Sequence, residues 1–222
     1  EGCQSVSISF NEPTMLFEYS LDVFPLAHRR GLYNNYVSNG YMSSEALKML
    51  REAGMDAIKF DVKGGKEVVR RYCAADSEMV WRTIRQAKEL GLHVEVVNLI
   101  IPGVNDGEDC VVEVVQRHMI EAGVNAPIHF TRFYPAYKMT DRPPTPIQTL
   151  EAAYNIAKRE GIHYVYLGNV PGHRLENTYC HNCNHLLIQR HGFTVLRYSL
   201  KLDKKCPNCG QTIPIQGEYT PP

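Results

Sequence analysis

Val6-Ser7-Ile8-Ser9-Phe10-Asn11-Glu12-Pro13-Thr14 sets the pattern of the chain: a short strand-like stretch ends in a polar tip built from a carboxylate and a proline. The pattern recurs. Tyr33 to Val37 runs into Ser38-Asn39-Gly40, and Ala57 to Phe60 into Asp61-Val62-Lys63. Val94 to Ile101 runs into Pro102-Gly103-Val104-Asn105-Asp106, and Ile128 to Phe133 into Tyr134-Pro135. Helix-length segments lie between, and Gly31, Gly54, Gly91, Gly123 and Gly161 each stop one just before a strand. Such alternation predicts a parallel α/β sheet or barrel with apolar strands covered on both faces. Parallel strands gather their C-termini on one edge, so the polar tips converge where these folds bind ligands.

The helices are expected over Thr14 to Arg30, over Glu45 to Ala53 behind the cap Ser43-Ser44, and over Lys66 to Leu90 with a break near Cys73 to Asp76. Asp76 or Ser77 caps the second half of that segment. Further helices are expected from Asp106 or Gly107 to Glu121 and, after the extended Pro143-Pro144-Thr145-Pro146, from Ile147 to Glu160. His163 to Gly168 is the last strand of the series. After Gly172 the alternation stops, which divides the chain into a β/α unit over residues 1–172 and a small module over residues 173–222.

Composition narrows the class. Lys plus Arg and Asp plus Glu are 24 each among 222 residues, so neither a basic excess for nucleic acid nor an acidic tail is present. Lys201, Lys204 and Lys205 form only a local basic edge. The longest apolar run, Val96 to Ile101, falls far short of the roughly 20 residues that span a bilayer. No signal peptide is visible, so a cytoplasmic protein with no membrane partner is expected. Glu1 is not an initiator methionine, and Gly2 stands like a helix stop ahead of the first strand. A further strand and helix are therefore expected upstream.

Four of the seven cysteines fall into two knuckles, Cys180-His181-Asn182-Cys183 and Cys206-Pro207-Asn208-Cys209. Two Cys-x-x-Cys turns supply four thiolates to one tetrahedral ion, which reads as a structural zinc ribbon. An iron site of the same geometry is the alternative. Redox disulfides are disfavoured in a cytosolic chain. Leu186-Leu187-Ile188 and Thr194-Val195-Leu196 suit a hairpin through Gly192. His181, His185 and His191 lie close by, but four thiolates need no further ligand.

Taken singly, each strand tip has two readings. Glu12 either caps the helix after Pro13 or receives a ligand ammonium group. Ser38-Asn39-Gly40 is a tight turn or a hydroxyl and amide for a ligand. Asp61 and Lys63 share a face, as a surface ion pair or a ligand contact. Pro102 to Asp106 is a loop, or a turn whose backbone rings an adenine or ribose.

Taken together, in this order on successive strands, the tips resemble the radical S-adenosylmethionine (SAM) superfamily, particularly enzymes similar to pyruvate formate-lyase activating enzyme. Phe10-Asn11-Glu12-Pro13 stands where that family has a Gly-Gly-Glu-Pro-like motif for the methionine amino group. Ser38-Asn39-Gly40 corresponds to its Thr-Asn-Gly, and Asp61-Val62-Lys63 to its Asp-x-Lys. There Lys63 suits the methionine carboxylate and Asp61 a ribose or cation role. Pro102-Gly103-Val104-Asn105-Asp106 matches a Pro-Gly-x-Asn-Asp strand end. Phe10 to Thr14, the Pro143 to Pro146 loop, Tyr164 to Val170 and the terminal cysteine quartet further resemble the AmmeMemoRadiSam-system radical SAM proteins.

The resemblance implies a partial parallel (β/α) barrel lacking its first strand, SAM and a [4Fe–4S] cluster as cofactors, and a 5′-deoxyadenosyl radical as the reactive species. It implies cofactor binding by Asn11, Glu12, Pro13, Ser38, Asn39, Asp61, Lys63, Pro102, Asn105 and Asp106. His129, Arg132, Tyr134 and Tyr137 are candidates to face an unknown substrate, a protein among the options, with ordinary packing as the alternative. Memo-type and AMMECR-type proteins are the partners implied. The family's Cys-x-x-x-Cys-x-x-Cys loop is absent from these residues. Cys3, Cys73 and Cys110 are too scattered to replace it and are expected as buried small apolar groups. The cluster ligands are thus expected upstream, and this part of the protein is expected to be inactive alone.

Two other functions fit the same fold. A redox-free β/α-barrel enzyme would bind a phosphorylated metabolite near Gly168-Asn169-Val170-Pro171-Gly172. A non-catalytic scaffold would use the zinc ribbon to dock a protein or nucleic acid.

Overall fold

The computed structural model describes residues 3–219, so the reading of Gly2 as a helix stop lies outside the described residues. Six parallel strands form one sheet in chain order: β1 (Ser5–Ile8), β2 (Tyr33–Ser38), β3 (Ala57–Asp61), β4 (His93–Ile100), β5 (Ile128–Arg132) and β6 (Val165–Gly168). Chain-order pairing follows from one crossover helix between neighbours, apart from β3 and β4, which two helices join. Those helices are α1 (Phe17–His28), α2 (Ser44–Glu52), α3 (Lys66–Cys73), α4 (Ser77–Glu89), α5 (Glu108–Glu121) and α6 (Ile147–Arg159).

Local chemistry places the boundaries. The expected helix from Thr14 starts as a 3-10 turn, Pro13–Leu16, because Glu12 caps it with its carboxylate and Pro13 opens it. The Ser43 hydroxyl accepts from Ala46 N at the start of α2, and Asp76 accepts from Glu78 N at the start of α4. Ala74, at φ +50°, makes the break between α3 and α4.

The strands are two-faced rather than apolar throughout. On β4, Val94, Val96, Asn98 and Ile100 are buried, while His93, Glu95, Val97 and Leu99 alternate on a half-buried opposite face. Val94, Val96 and Ile100 pack with Leu47, Leu50, Ile84, Val111 and Leu150 of the helices, and Asn98 Nδ2 donates to Val62 O. Full cover on both faces was expected; the second face instead opens on a cavity and tolerates polar groups.

The remaining strands, β7 (Thr178–Tyr179), β8 (Leu186–His191) and β9 (Thr194–Tyr198), make a separate antiparallel sheet. The hairpin turns at Gly192, whose φ of +58° suits glycine. A small core of Tyr164, Cys180, Leu187, Ile188, Cys206 and Ile213 joins this sheet to the residues leading into β6. Among the described residues no helix is long and apolar enough to cross a membrane.

Candidate functional site

At the β1 and β2 tips the Glu12 carboxylate is the hub. Its Oε1 accepts from Thr14 N (3.1 Å), Thr14 Oγ1 (2.7 Å) and Ser38 Oγ (2.7 Å), whereas among the described residues Oε2 accepts only from Asn39 N (2.8 Å). The cap and the inter-strand contact are therefore one structure, and Oε2 retains acceptor capacity. Asn39 in turn caps its own turn, its Oδ1 accepting from Tyr41 N. Asn11 is exposed and Pro13 is buried, its carbonyl accepting from Tyr36 Oη.

A second set links β3 and β4. Lys63 Nζ lies 3.1 Å from Asp61 Oδ2, with both side chains more than a third exposed, so the pair contributes little by itself. Asn105 faces inward. Its Nδ2 donates to Lys63 O and Leu99 O, and its Oδ1 accepts from Ile101 N. With all three bonds made to backbone, the Asn105 side chain shapes the turn and offers nothing outward. Asp106 Oδ1 accepts from Gly103 N, and Pro102 O accepts from Arg142 Nη1.

The residues considered for substrate separate. Arg132 Nε donates to Thr145 O, and its guanidinium lies 5.1 Å from the Tyr134 ring centre. Tyr134 Oη donates to Asn169 O. These two tie the β5 and β6 ends together. Tyr137 is 88% exposed, on a loop at φ +51°.

His129 lies elsewhere, in a cavity of about 700 Å³ on the open face of the sheet. Glu95 joins it to His93: His129 Nε2 is 2.8 Å from Oε2, and His93 Nε2 is 3.0 Å from Oε1. Burial by itself raises the Glu95 pKa, but the hydrogen bonds from His129 and His93 outweigh it and hold the carboxyl well below the usual range. An ionised carboxylate only accepts, so both imidazoles donate through Nε2. His129 also stacks on Tyr166, ring centres 5.0 Å apart. Lys59, Tyr166, Thr178 and Arg190 line the same space, with Ile213 to Gln216 along one wall. The sequence reading began this strand at Val94 and passed over His93 and Glu95. Their signal was present as two polar residues at period two in an apolar strand.

The four cysteines converge as expected, all four sulfurs lying within 4.8 Å of one another. Cys180 Sγ to Cys209 Sγ is 3.6 Å and Cys183 Sγ to Cys206 Sγ 3.7 Å, and all are free thiols. A tetrahedron with metal–sulfur bonds of about 2.3 Å has edges of about 3.8 Å, so the set fits one metal ion. The two knuckles match in detail. Asn184 N donates to Cys180 O and Gly210 N to Cys206 O, with Asn184 at φ +57° and Gly210 at φ +76°. His181 does not join the set; its Nδ1 lies 3.0 Å from Tyr164 Oη.

The other cysteines depart from expectation. Cys3 and Cys73 are exposed rather than buried, because Cys3 precedes the first strand and Cys73 ends α3 on its solvent side. Cys110 is half-buried and accepts from Gly65 N. Among the described residues the only group able to hold a metal is the quartet.

Comparison with known proteins places this architecture. Residues 1–116, just over half of the chain, match the radical SAM superfamily, and the chain belongs to it. An uncharacterized protein of Methanocaldococcus jannaschii is 44% identical over 96% of the chain, and the chain spans 64% of that relative's length. A domain of pyruvate-formate lyase-activating enzyme from Bacteroides vulgatus superposes with a TM-score of 0.63 at 15% identity, over 74% of this chain and 99% of that one. A radical SAM methyltransferase from Sphaerobacter thermophilus gives 0.58 at 16% identity, over 75% of this chain and 51% of the other. At such identities these likenesses concern the fold.

Proposed function

We propose that this radical SAM superfamily chain forms the SAM-binding platform, a partial β/α barrel, of an enzyme that reductively cleaves SAM, with an activity similar to that of the activating enzymes. The observation that carries the reading is the Glu12 hub: a carboxylate at a parallel-strand tip, organised by Ser38 and Asn39 of the next strand, with one oxygen still able to accept. A ligand ammonium fits that oxygen. Lys63 supplies a cation for the ligand carboxylate at the β3 tip, and the turn over residues 102–106 presents backbone groups beside it. Asp61 holds the Lys63 ammonium until a ligand competes for it.

The cofactors, when bound, supply the reducing electron and the 5′-deoxyadenosyl radical; the chain supplies orientation and exclusion of water. The residues present do not fit the [4Fe–4S] cluster. Cys3, Cys73 and Cys110 form no group, and the quartet's sulfurs are spaced for a single ion, most simply a structural zinc. The cluster ligands in this reading lie outside these residues. The likeness to AmmeMemoRadiSam-system proteins, and with it Memo-type and AMMECR-type partners in the cytoplasm, belongs to the same proposal.

The test is anaerobic reconstitution with iron and sulfide, followed by dithionite and SAM, with 5′-deoxyadenosine measured by chromatography. A longer polypeptide carrying these residues behind a three-cysteine loop is expected to form it, and these 222 residues alone are expected not to. Formation by the 222 residues alone would defeat the assignment of the cluster ligands. None from the longer polypeptide defeats the activity. In that polypeptide Lys63→Ala is expected to weaken SAM binding at least about tenfold, the loss of one charge-assisted contact.

A further inference from the structure

The cavity on the open face of the sheet has a charge pattern that the strand tips do not explain. Lys59 of β3 stands in register with Glu95 of β4, yet the Lys59 ammonium forms no ion pair or hydrogen bond among the described residues. Arg190 of β8 faces the same space over the Tyr166 ring, its guanidinium carbon 5.7 Å from the ring centre. Its Nη1 donates only to neutral acceptors, Glu176 O at 3.1 Å and Thr178 Oγ1 at 2.7 Å. The two carboxylates on the wall are already engaged. Glu95 holds both imidazoles, and Glu176 accepts from Gly172 N and Gly192 N. Two cations without carboxylate partners therefore face a space large enough for a metabolite.

The floor between them is ordered. Strand register carries it from Lys59 to Glu95, then from Val97 to His129, then from His129 to Tyr166. His129 and His93 both give Nε2 to Glu95, so in the neutral ring each Nδ1 is an acceptor, and neither has a partner among the described residues. The carboxylate thus selects the tautomer, and the Tyr166 stack fixes the plane of His129.

The geometry points to a binding site for a small anion bearing carboxylate or phosphate groups. Lys59 and Arg190 take its acid groups from opposite ends of the floor, and the Nδ1 of His129 accepts from a hydroxyl or amine between them. This site is the substrate site of the enzyme proposed above, and in that sense the inference rests on that reading. Its binding chemistry needs neither SAM, iron nor reductant. A failure of SAM cleavage therefore leaves it standing, and its own failure leaves SAM cleavage standing.

The probes are citrate and inorganic pyrophosphate, titrated into the full chain with labelled histidine rings observed by NMR. Sodium chloride at matched ionic strength is the control. Saturable shifts of His129 and His93 with a Kd below about 10 mM are expected, and the tighter probe distinguishes a carboxylate ligand from a phosphate one. Lys59 holds no hydrogen bond among the described residues, so Lys59→Met should fold normally while weakening binding at least about tenfold, and Lys59→Arg should retain it. Arg190→Met should weaken binding too, but that arginine also supports Thr178 and Glu176 O, so the Lys59 pair decides. Shifts that follow chloride equally, no saturation with either probe, or unchanged affinity in Lys59→Met each overturn the proposal.

Discussion

Glu12→Gln is the substitution that most directly tests the strand-tip hub. Glutamine keeps the shape of glutamate but turns one oxygen into a donor. With the amide nitrogen in the Oε2 position, it faces the Asn39 N–H, which now sits 2.8 Å from the carboxylate. With the nitrogen in the Oε1 position, it faces the Thr14 N–H as well as two hydroxyls. The hydroxyls can rotate to accept; a backbone N–H cannot. Either orientation therefore sets one donor against another and removes a hydrogen bond to a charged group, for which about 1.5–3 kcal/mol is typical. The site is only part-buried, so the lower half of that range applies, about 2 kcal/mol. For a chain of this size that lowers Tm by about 4–8 °C. Calorimetry of the two proteins reads it directly. A double-mutant cycle with Ser38→Ala should return a coupling of about 1 kcal/mol, since Ser38 and Glu12 share the 2.7 Å contact. A Tm within about 1 °C of the parent, with no coupling to Ser38, refutes the claim that this carboxylate holds the β1 and β2 tips together.

Other outcomes follow from single sites. His118 is fully buried, its Nε2 3.0 Å from Ala126 O and its Nδ1 unpartnered, and burial pushes its pKa from 6.5 down to about 4. The unfolded chain then binds the extra proton between those values, so stability is lost as pH drops through that window. At about pH 5 the loss from this residue is about 2 kcal/mol. His118→Gln keeps a donor for Ala126 O and should remove that part of the pH dependence in urea unfolding; parallel curves for the two proteins would contradict it. Asn105→Ala strips partners from Lys63 O, Leu99 O and Ile101 N and should cost about 2–4 kcal/mol in the same assay. An unfolding midpoint like the parent's would show that the turn stands without this side chain. The quartet should hold about one zinc ion per chain by elemental analysis, and Cys206→Ser or chelation should release it and melt the β7–β9 module first. Metal-replete protein without zinc or iron contradicts the assignment.

Much of the fold is written in local chemistry, and that part was legible. Glycine stops such as Gly31 and Gly91, at φ +73° and +74°, encode helix ends whatever surrounds them. Ser43 and Asp76 encode helix starts, and the Cys-x-x-Cys knuckles carry their ligand geometry within four residues. The strand tips were legible for the same reason, and their order along the chain carried the resemblance to the radical SAM superfamily.

What escaped depended on which side of a strand a residue turns and on what stands one strand away. Asn105 belongs to a recognisable turn, but only the packed β3 and β4 ends decide that its amide faces inward to Lys63 O and Leu99 O. Cys3 and Cys73 resemble small core residues in composition, and their exposure follows from their positions at element ends. The His93–Glu95–His129 set, and Lys59 standing beside it without a partner among the described residues, exist only through the register of three strands. The sequence alone determined the elements, their parallel order and the metal knuckles, because those rest on interactions within a few residues. The tertiary structure decided the cavity and its charges, because each strand offers two faces and only packing against the helices selects the one left open.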